Sequence, residues 1–384
     1  MRSGHQWRQN LHFLITAILA LIAVPFLKHF NLPLRFALAN LAFQYWVLLA
    51  ERAIFGAVIL CVIGLPAAVW KPSLQKICHE KTRLLLLALF SFVLGWLLGW
   101  AHGMVLTADI FAVLEVRERV KDRSVLAATD VLLPALYLFC GLLLVSAYND
   151  IIVSSRFFAA ADPTFNAMDQ WLLGGLTVSR ISHWGLHIFP LWWFHFLEFI
   201  YFGLFSQIGA ALVLIACARG GKYAFQFVGA ILTAYYLALV LFYIWPSQGP
   251  YYLCPSHFAE FPSVLKTYDA QKGSIAGALA RWSHVPLDRM NFDYYIAFPC
   301  MHIVQPLLVI WFLRPWKRAV IFLVAYDVVL LIAIVFLEWH YLVDILVAPF
   351  VAALAILISN GGSSWLGSTG NRDPDLSENT AVLL

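Results

Sequence analysis

The chain has 384 residues, of which 62% are hydrophobic and 12% charged, with a net charge of +4 and a mean hydropathy of +0.80. A water-soluble globular domain carries roughly 25% charged residues, so this composition excludes a soluble globule and specifies an integral membrane protein. The apolar runs are longer and less alternating than barrel strands, which predicts helices whose backbone bonds are satisfied within each span. The basic residues sit in short runs between apolar segments, which argues against a nucleic-acid-binding domain.

In chain order, predicted spans fall at about 11–27, 36–50 or 53–70, 84–103, 129–146, 197–217, 224–245, 296–312, 318–337 and 343–359. The run Leu11–Leu27 follows Arg2 and Arg8 as a signal sequence would, but it lacks a clean small-residue cleavage site and reads as a retained anchor. Residues 1–128 are therefore read as an N-terminal transmembrane region, 129–359 as a membrane core, and 360–384 as a polar, disordered cytoplasmic tail. Segment 246–295 combines Pro246, Pro250, Pro255 and Pro262 with Tyr251, Tyr252, Phe258, Phe261, Trp282 and Tyr294, a content that a plain linker does not need, and is read as a structured cap. Cys61, Cys78, Cys140, Cys217, Cys254 and Cys300 show no metal-ligand spacing and read mainly as packing residues, with Cys254 in a loop where it could find a partner.

Orientation follows from two short basic loops, one with Arg219 and Lys222, the other with Arg314, Lys317 and Arg318. The positive-inside rule assigns both to the cytoplasm. The cap, His302 at a helix start and His340 in a short turn then share the opposite, extracytoplasmic face. In the N-terminal half the basic stretches 71–83 and 104–128 both look cytoplasmic with one obvious span between them, which requires a re-entrant segment or an exception to the rule.

The chemistry rests on spacing. His340 and Asp344 are four residues apart, so on a helix that begins just before His340 they share one face. Asp344 then accepts a hydrogen bond from one imidazole nitrogen, fixes the tautomer and leaves the other nitrogen to attack an electrophile such as phosphorus. His302, on the same face, can supply the proton that an alkoxide leaving group needs. Two readings compete with this one: two histidines and a carboxylate can bind zinc, and polar residues at helix ends can be simple interfacial anchors.

At these residues the sequence resembles the membrane-bound type 2 phosphatidic acid phosphatases and lipid phosphotransferases. Phe298-Pro299-Cys300-Met301-His302 is similar to that family's Pro-Ser-x-His element with cysteine at the serine position, and His340-Tyr341-Leu342-Val343-Asp344 matches its terminal His-x-x-x-Asp. The resemblance covers roughly 129–359. It implies an all-α polytopic fold with a six-helix core preceded by additional N-terminal helices, a phosphohistidine formed at His340, His302 as general acid, Asp344 as the residue orienting His340, and no cofactor. The arginine that phosphatases of the family place six residues before the terminal histidine is Ile334 here, and the family's Lys plus Arg-Pro element is not found before the loop. Trp245-Pro246-Ser247-Gln248-Gly249-Pro250-Tyr251-Tyr252 is similar to a stretch of the inositolphosphotransferase, aureobasidin-resistance-like branch.

That branch implies transfer of a phospho-headgroup from a membrane phospholipid donor to a lipid alcohol acceptor. Inositol, glycerol, ethanolamine, sugar and polyprenyl phosphates stay open, as do a lipid phosphate phosphatase using the same residues and a non-catalytic scaffold or lipid transporter. A bacterial inner membrane is the expected location. Lys266, Lys272, Arg281 and Arg289 lie on the active side, where they can contact phosphate or headgroup in place of the missing arginine or simply face lipid and solvent. Asp169 can cap a helix start or contact a polyol. His183, His187 and His195 read as interfacial anchors, Glu198 as a partner of one of them, and Glu338 either tunes His340 or stands as an exposed cap.

Overall fold

A computed structural model describes residues 11–29, 129–155, 160–253, 265, 267, 271 and 297–359. Within them the chain is helical: α1 (Leu11–His29), α2 (Thr129–Ser155), α3 (Asp162–Leu172), α4 (Val178–Ile188), α5 (Leu191–Phe202), α6 (Leu204–Arg219), α7 (Gly221–Ile244), α8 (Pro250–Leu253), α9 (Met301–Leu313), α10 (Lys317–Phe336) and α11 (Leu342–Ser359). Among the described residues four apolar stretches are long enough to cross a membrane: 191–216, formed by α5 and α6, then α7, α10 and α11. The shorter apolar stretches 11–23, 133–149 and 301–313 lie in α1, α2 and α9.

The helix α7 is the central post. Phe227, Val228, Ala230, Leu232, Ala234, Ala238 and Phe242 are all buried, which in a helix apolar on every side means neighbours on every side. It packs against α2, α6, α9 and α11. Gly141 lets α2 come close enough for Leu232 to fill the space that a Cβ would occupy. By contrast α11 buries Ala348, Val351, Ala352 and Ala355 and exposes Leu346, Phe350, Leu354 and Leu357. The exposed set recurs at helical spacing, so it is a stripe that water would not tolerate and lipid tails would.

The bundle brings the two basic loops to one end, where Arg219 lies close enough to Arg314 to lower the latter's affinity for its proton after burial has done so. At the other end stand 245–249, the start of α9 and the turn 337–341. The predicted spans from 129 onward correspond to helices within a few residues at most ends. The spans at 36–70 and 84–103, the tail, Cys61, Cys78, Cys254 and most of the cap lie outside the described residues, as do Lys266, Lys272, Arg281 and Arg289.

Two short helices, α3 and α4, have no counterpart among the predicted spans. In α3 the buried side carries Asp162, Phe165 and Asp169, while Met168, Trp171 and Leu172 are exposed. Polarity is inverted relative to a helix on a soluble protein. Such a helix suits the membrane interface, with its aromatic and aliphatic side chains toward lipid and its carboxylates toward the protein.

Candidate active site

The turn between α10 and α11 is built to stop one helix and start another within five residues. Leu337 N donates to Ala333 O and closes α10, after which Glu338 adopts φ 57° in the left-handed region. For a residue with a Cβ this costs about 1–2 kcal/mol, and it reverses the chain before His340. Asp344 then closes the first turn of α11, its Oδ2 accepting from Tyr341 N at 2.9 Å.

His340 is buried, with Nδ1 2.7 Å from the carbonyl oxygen of Ala297. A carbonyl can only accept, so Nδ1 carries the proton and Nε2 of the neutral ring keeps its lone pair. Asp344 Oδ2 is farther from Nδ1, at 3.5 Å. The spacing argument placed Asp344 beside His340 but did not give the closest partner: the short hydrogen bond goes to a backbone carbonyl, and the Asp344 carboxyl stands next to it. His340 Nε2 faces His302 Nδ1 at 3.0 Å, so His302 donates between the two rings when both are neutral.

His302 is positioned by a ring stack. Tyr201 of α5 lies on it at 4.3 Å between centroids and 24°, and Trp339 lies on Tyr201 at 5.3 Å and 7°. Cys300 forms the end cap of α9, and its sulfur lies within 4.8 Å of the ligand nitrogens of His302 and His340. Sequence spacing gave no sign of that approach, because 38 residues separate the two histidines.

Two aspartates of α3 hold this turn from outside the motif. Asp169, for which capping and polyol contact were both open, accepts from Leu342 N at 2.9 Å and Val343 N at 3.1 Å and so caps α11 from another helix. Asp162 accepts from Tyr341 Oη at 3.0 Å, Gly249 N at 2.8 Å, Gln248 N at 3.0 Å and Ser247 Oγ at 3.3 Å. Ser247 O in turn accepts from Ala297 N at 3.2 Å, which holds the carbonyl that orients His340. The sequence hint was Asp162-Pro163, an acidic residue and proline at a helix start. Nothing in it revealed that the carboxylate faces inward.

Glu338 is 1% exposed, which overturns its reading as an exposed cap. Ser179 and Ser182 of α4 lie near its carboxylate without reaching hydrogen-bonding geometry; Ser182 Oγ donates instead to Phe336 O at 2.6 Å. Glu198, also buried, lies 3.6 Å from His195 and accepts from Thr267 N at 2.6 Å. His183 and His187 contact each other at 3.3 Å. Ile334, at the position where the resembled phosphatases carry arginine, is fully buried in an apolar cluster with Phe194, Leu197 and Leu330.

Burial pushes Glu338 up to about 7, and pushes Asp162 up to about 7 against the pull of its hydrogen bonds. A carboxyl whose folded pKa exceeds its unfolded value stabilises fully below the unfolded value and loses that contribution as pH rises through the folded one. Thermal stability in detergent is thus expected to fall between pH ~4.5 and ~8, with Glu338 accounting for about 3 kcal/mol of the change. Glu338→Gln should flatten part of that profile. An unchanged pH dependence of Tm in the variant would show that Glu338 does not titrate in this window.

Residues 173–358 match the family model of the PAP2 superfamily. The match contains His302, His340 and Asp344 and leaves α3, with Asp162 and Asp169, outside. No curated protein and no solved structure matches the chain.

Proposed function

We propose that this protein is a membrane phosphotransferase that moves a phospho-headgroup, phosphoinositol among the candidates, from a phospholipid to a lipid alcohol through a phosphohistidine at His340. The observation that carries the proposal is the imidazole pair: His340 has Nδ1 occupied by Ala297 O and Nε2 directed at His302. In the first step Nε2 attacks phosphorus, the bond from phosphorus to the diacylglycerol oxygen breaks, and His302, protonated on both ring nitrogens for this step, gives one of those protons to that oxygen and is left neutral. In the second, His302 takes the proton of the incoming alcohol, whose oxygen forms the new bond to phosphorus as the N–P bond breaks. Asp344 and Ala297 O stabilise the charge that develops on His340. Lys266, Lys272, Arg281 and Arg289 are proposed headgroup contacts, and the basic ends of α6 and α9 favour an extracytoplasmic site in a bacterial inner membrane.

Zinc is the second reading that an observation favours, because Cys300, His302 and His340 converge. Two imidazole nitrogens on one tetrahedral zinc lie about 3.3 Å apart, whereas these lie 3.0 Å apart, a hydrogen-bond distance. Asp344 faces the opposite nitrogen of His340 and is no fourth ligand there. The pair therefore fits proton transfer better than shared ligation.

Transfer is distinguished from hydrolysis by acceptor dependence. Purified protein incubated with headgroup-labelled phospholipid is expected to form a labelled lipid product only when a long-chain alcohol or ceramide is added, and that product should outweigh released phosphate or phospho-headgroup. Release at the same rate with and without acceptor would make the protein a phosphatase of the same superfamily. Lipid movement surviving His302→Ala and His340→Ala together would instead make it a transporter.

A further inference from the structure

The side chain of Gln248 is 2% exposed, and neither Oε1 nor Nε2 has a partner among the described residues. Trp339 Nε1 is buried in the same condition. Orphaned buried donors are rare in folded proteins and destabilise them. The backbone around Gln248 is fixed: its N–H and that of Gly249 are both held by Asp162. Gly249 has φ 119°, and a Cβ there would lie 2.7 Å from Trp339 O, so the chain beside Gln248 is in contact with the chain beside His340.

Both residues adjoin the reacting pair by short routes. Ser247 O holds Ala297 N, and Ala297 O holds His340 Nδ1. On the other side, Trp339 precedes His340 directly and its ring is one Tyr201 away from His302. Where the resembled phosphatases carry an arginine, Ile334 is buried in apolar contacts.

Resting on the phosphoryl-transfer reading above, we infer that Gln248 Nε2 and Trp339 Nε1 are the donors that hold the non-bridging oxygens of the transferred phosphoryl group. Attack by His340 Nε2 concentrates negative charge on those oxygens, and fixed donors in a water-poor site stabilise it. Neutral donors set the substrate class as well. A phosphodiester brings one negative charge, which two N–H groups can share, while a phosphomonoester brings up to two and requires a cation that this pair does not offer. This donor pair is thereby suited to phosphodiester lipids.

The test compares wild type, Gln248→Leu and Trp339→Phe on a long-chain phosphodiester lipid and on a phosphomonoester with the same tail. Each variant is expected to lose about tenfold or more in kcat on the diester, with KM changing less than threefold and the diester-to-monoester ratio of kcat/KM falling. Gln248→Leu should keep or raise Tm, because it removes two orphaned polar atoms from a buried position. A structural role predicts the reverse, a lower Tm with an unchanged substrate ratio, and that result overturns the inference. So does kcat within twofold of wild type in both variants. If wild-type protein turns over neither lipid, the phosphotransfer reading itself has failed, and calorimetry with dihexyl phosphate then decides: binding weakened about tenfold in both variants upholds the donor pair, and equal or absent binding rejects it.

Discussion

His340→Ala is expected to lower turnover by at least about a thousand-fold, because in the proposed reaction it removes the atom that forms the covalent bond rather than one that assists it. Rapid quenching with labelled donor should trap an acid-labile, alkali-stable phosphoenzyme in wild type and none in the variant. Asp344→Asn should be milder, since Ala297 O still fixes the tautomer of His340. What it loses is charge opposite the developing imidazolium, so kcat should fall while KM holds. A His340→Ala protein that still turned over near the wild-type rate would remove His340 from the chemistry altogether.

Asp162→Ala is expected to be the most destabilising single substitution around the site. It leaves Gln248 N, Gly249 N, Tyr341 Oη and Ser247 Oγ without their acceptor at a buried position, at a cost of about 3 kcal/mol or more. Activity should fall with stability, because releasing Ser247 also releases Ala297, whose carbonyl orients His340. Asp162→Asn keeps one acceptor oxygen and should lose less. Thermal denaturation in detergent measures both, and a Tm for Asp162→Ala within two degrees of wild type would mean that these bonds contribute nothing net.

Long apolar runs such as Gly221–Ile244 and Lys317–Phe336 were legible because a membrane span leaves few alternatives to a helix. The helices α3 and α4 were not. Each has only 11 residues, and α3 hides its carboxylates and exposes Trp171, so its pattern is that of neither a span nor a soluble surface helix. The pair His302 and His340 was legible from motif and resemblance, and the structure brings it together at 3.0 Å. The close partner of His340 was not, because a backbone carbonyl leaves no mark in sequence. Glu338 was misread for a related reason: a carboxylate beside a motif looks exposed until φ 57° turns it inward.

If His340 is the nucleophile proposed above, the two anchors of α3 set its depth. Asp162 is fastened to Tyr341, and Asp169 to the first residues of α11, while the far side of the same helix presents Met168, Trp171 and Leu172 outward. A float is thus tied directly to the turn that carries His340. When bilayer thickness changes, the float follows the headgroup layer, and the mismatch is taken up at the opposite, basic end of the bundle. On the proposed chemistry, Nε2 of His340 is expected to keep its level with the lipid phosphates whether the membrane is thick or thin.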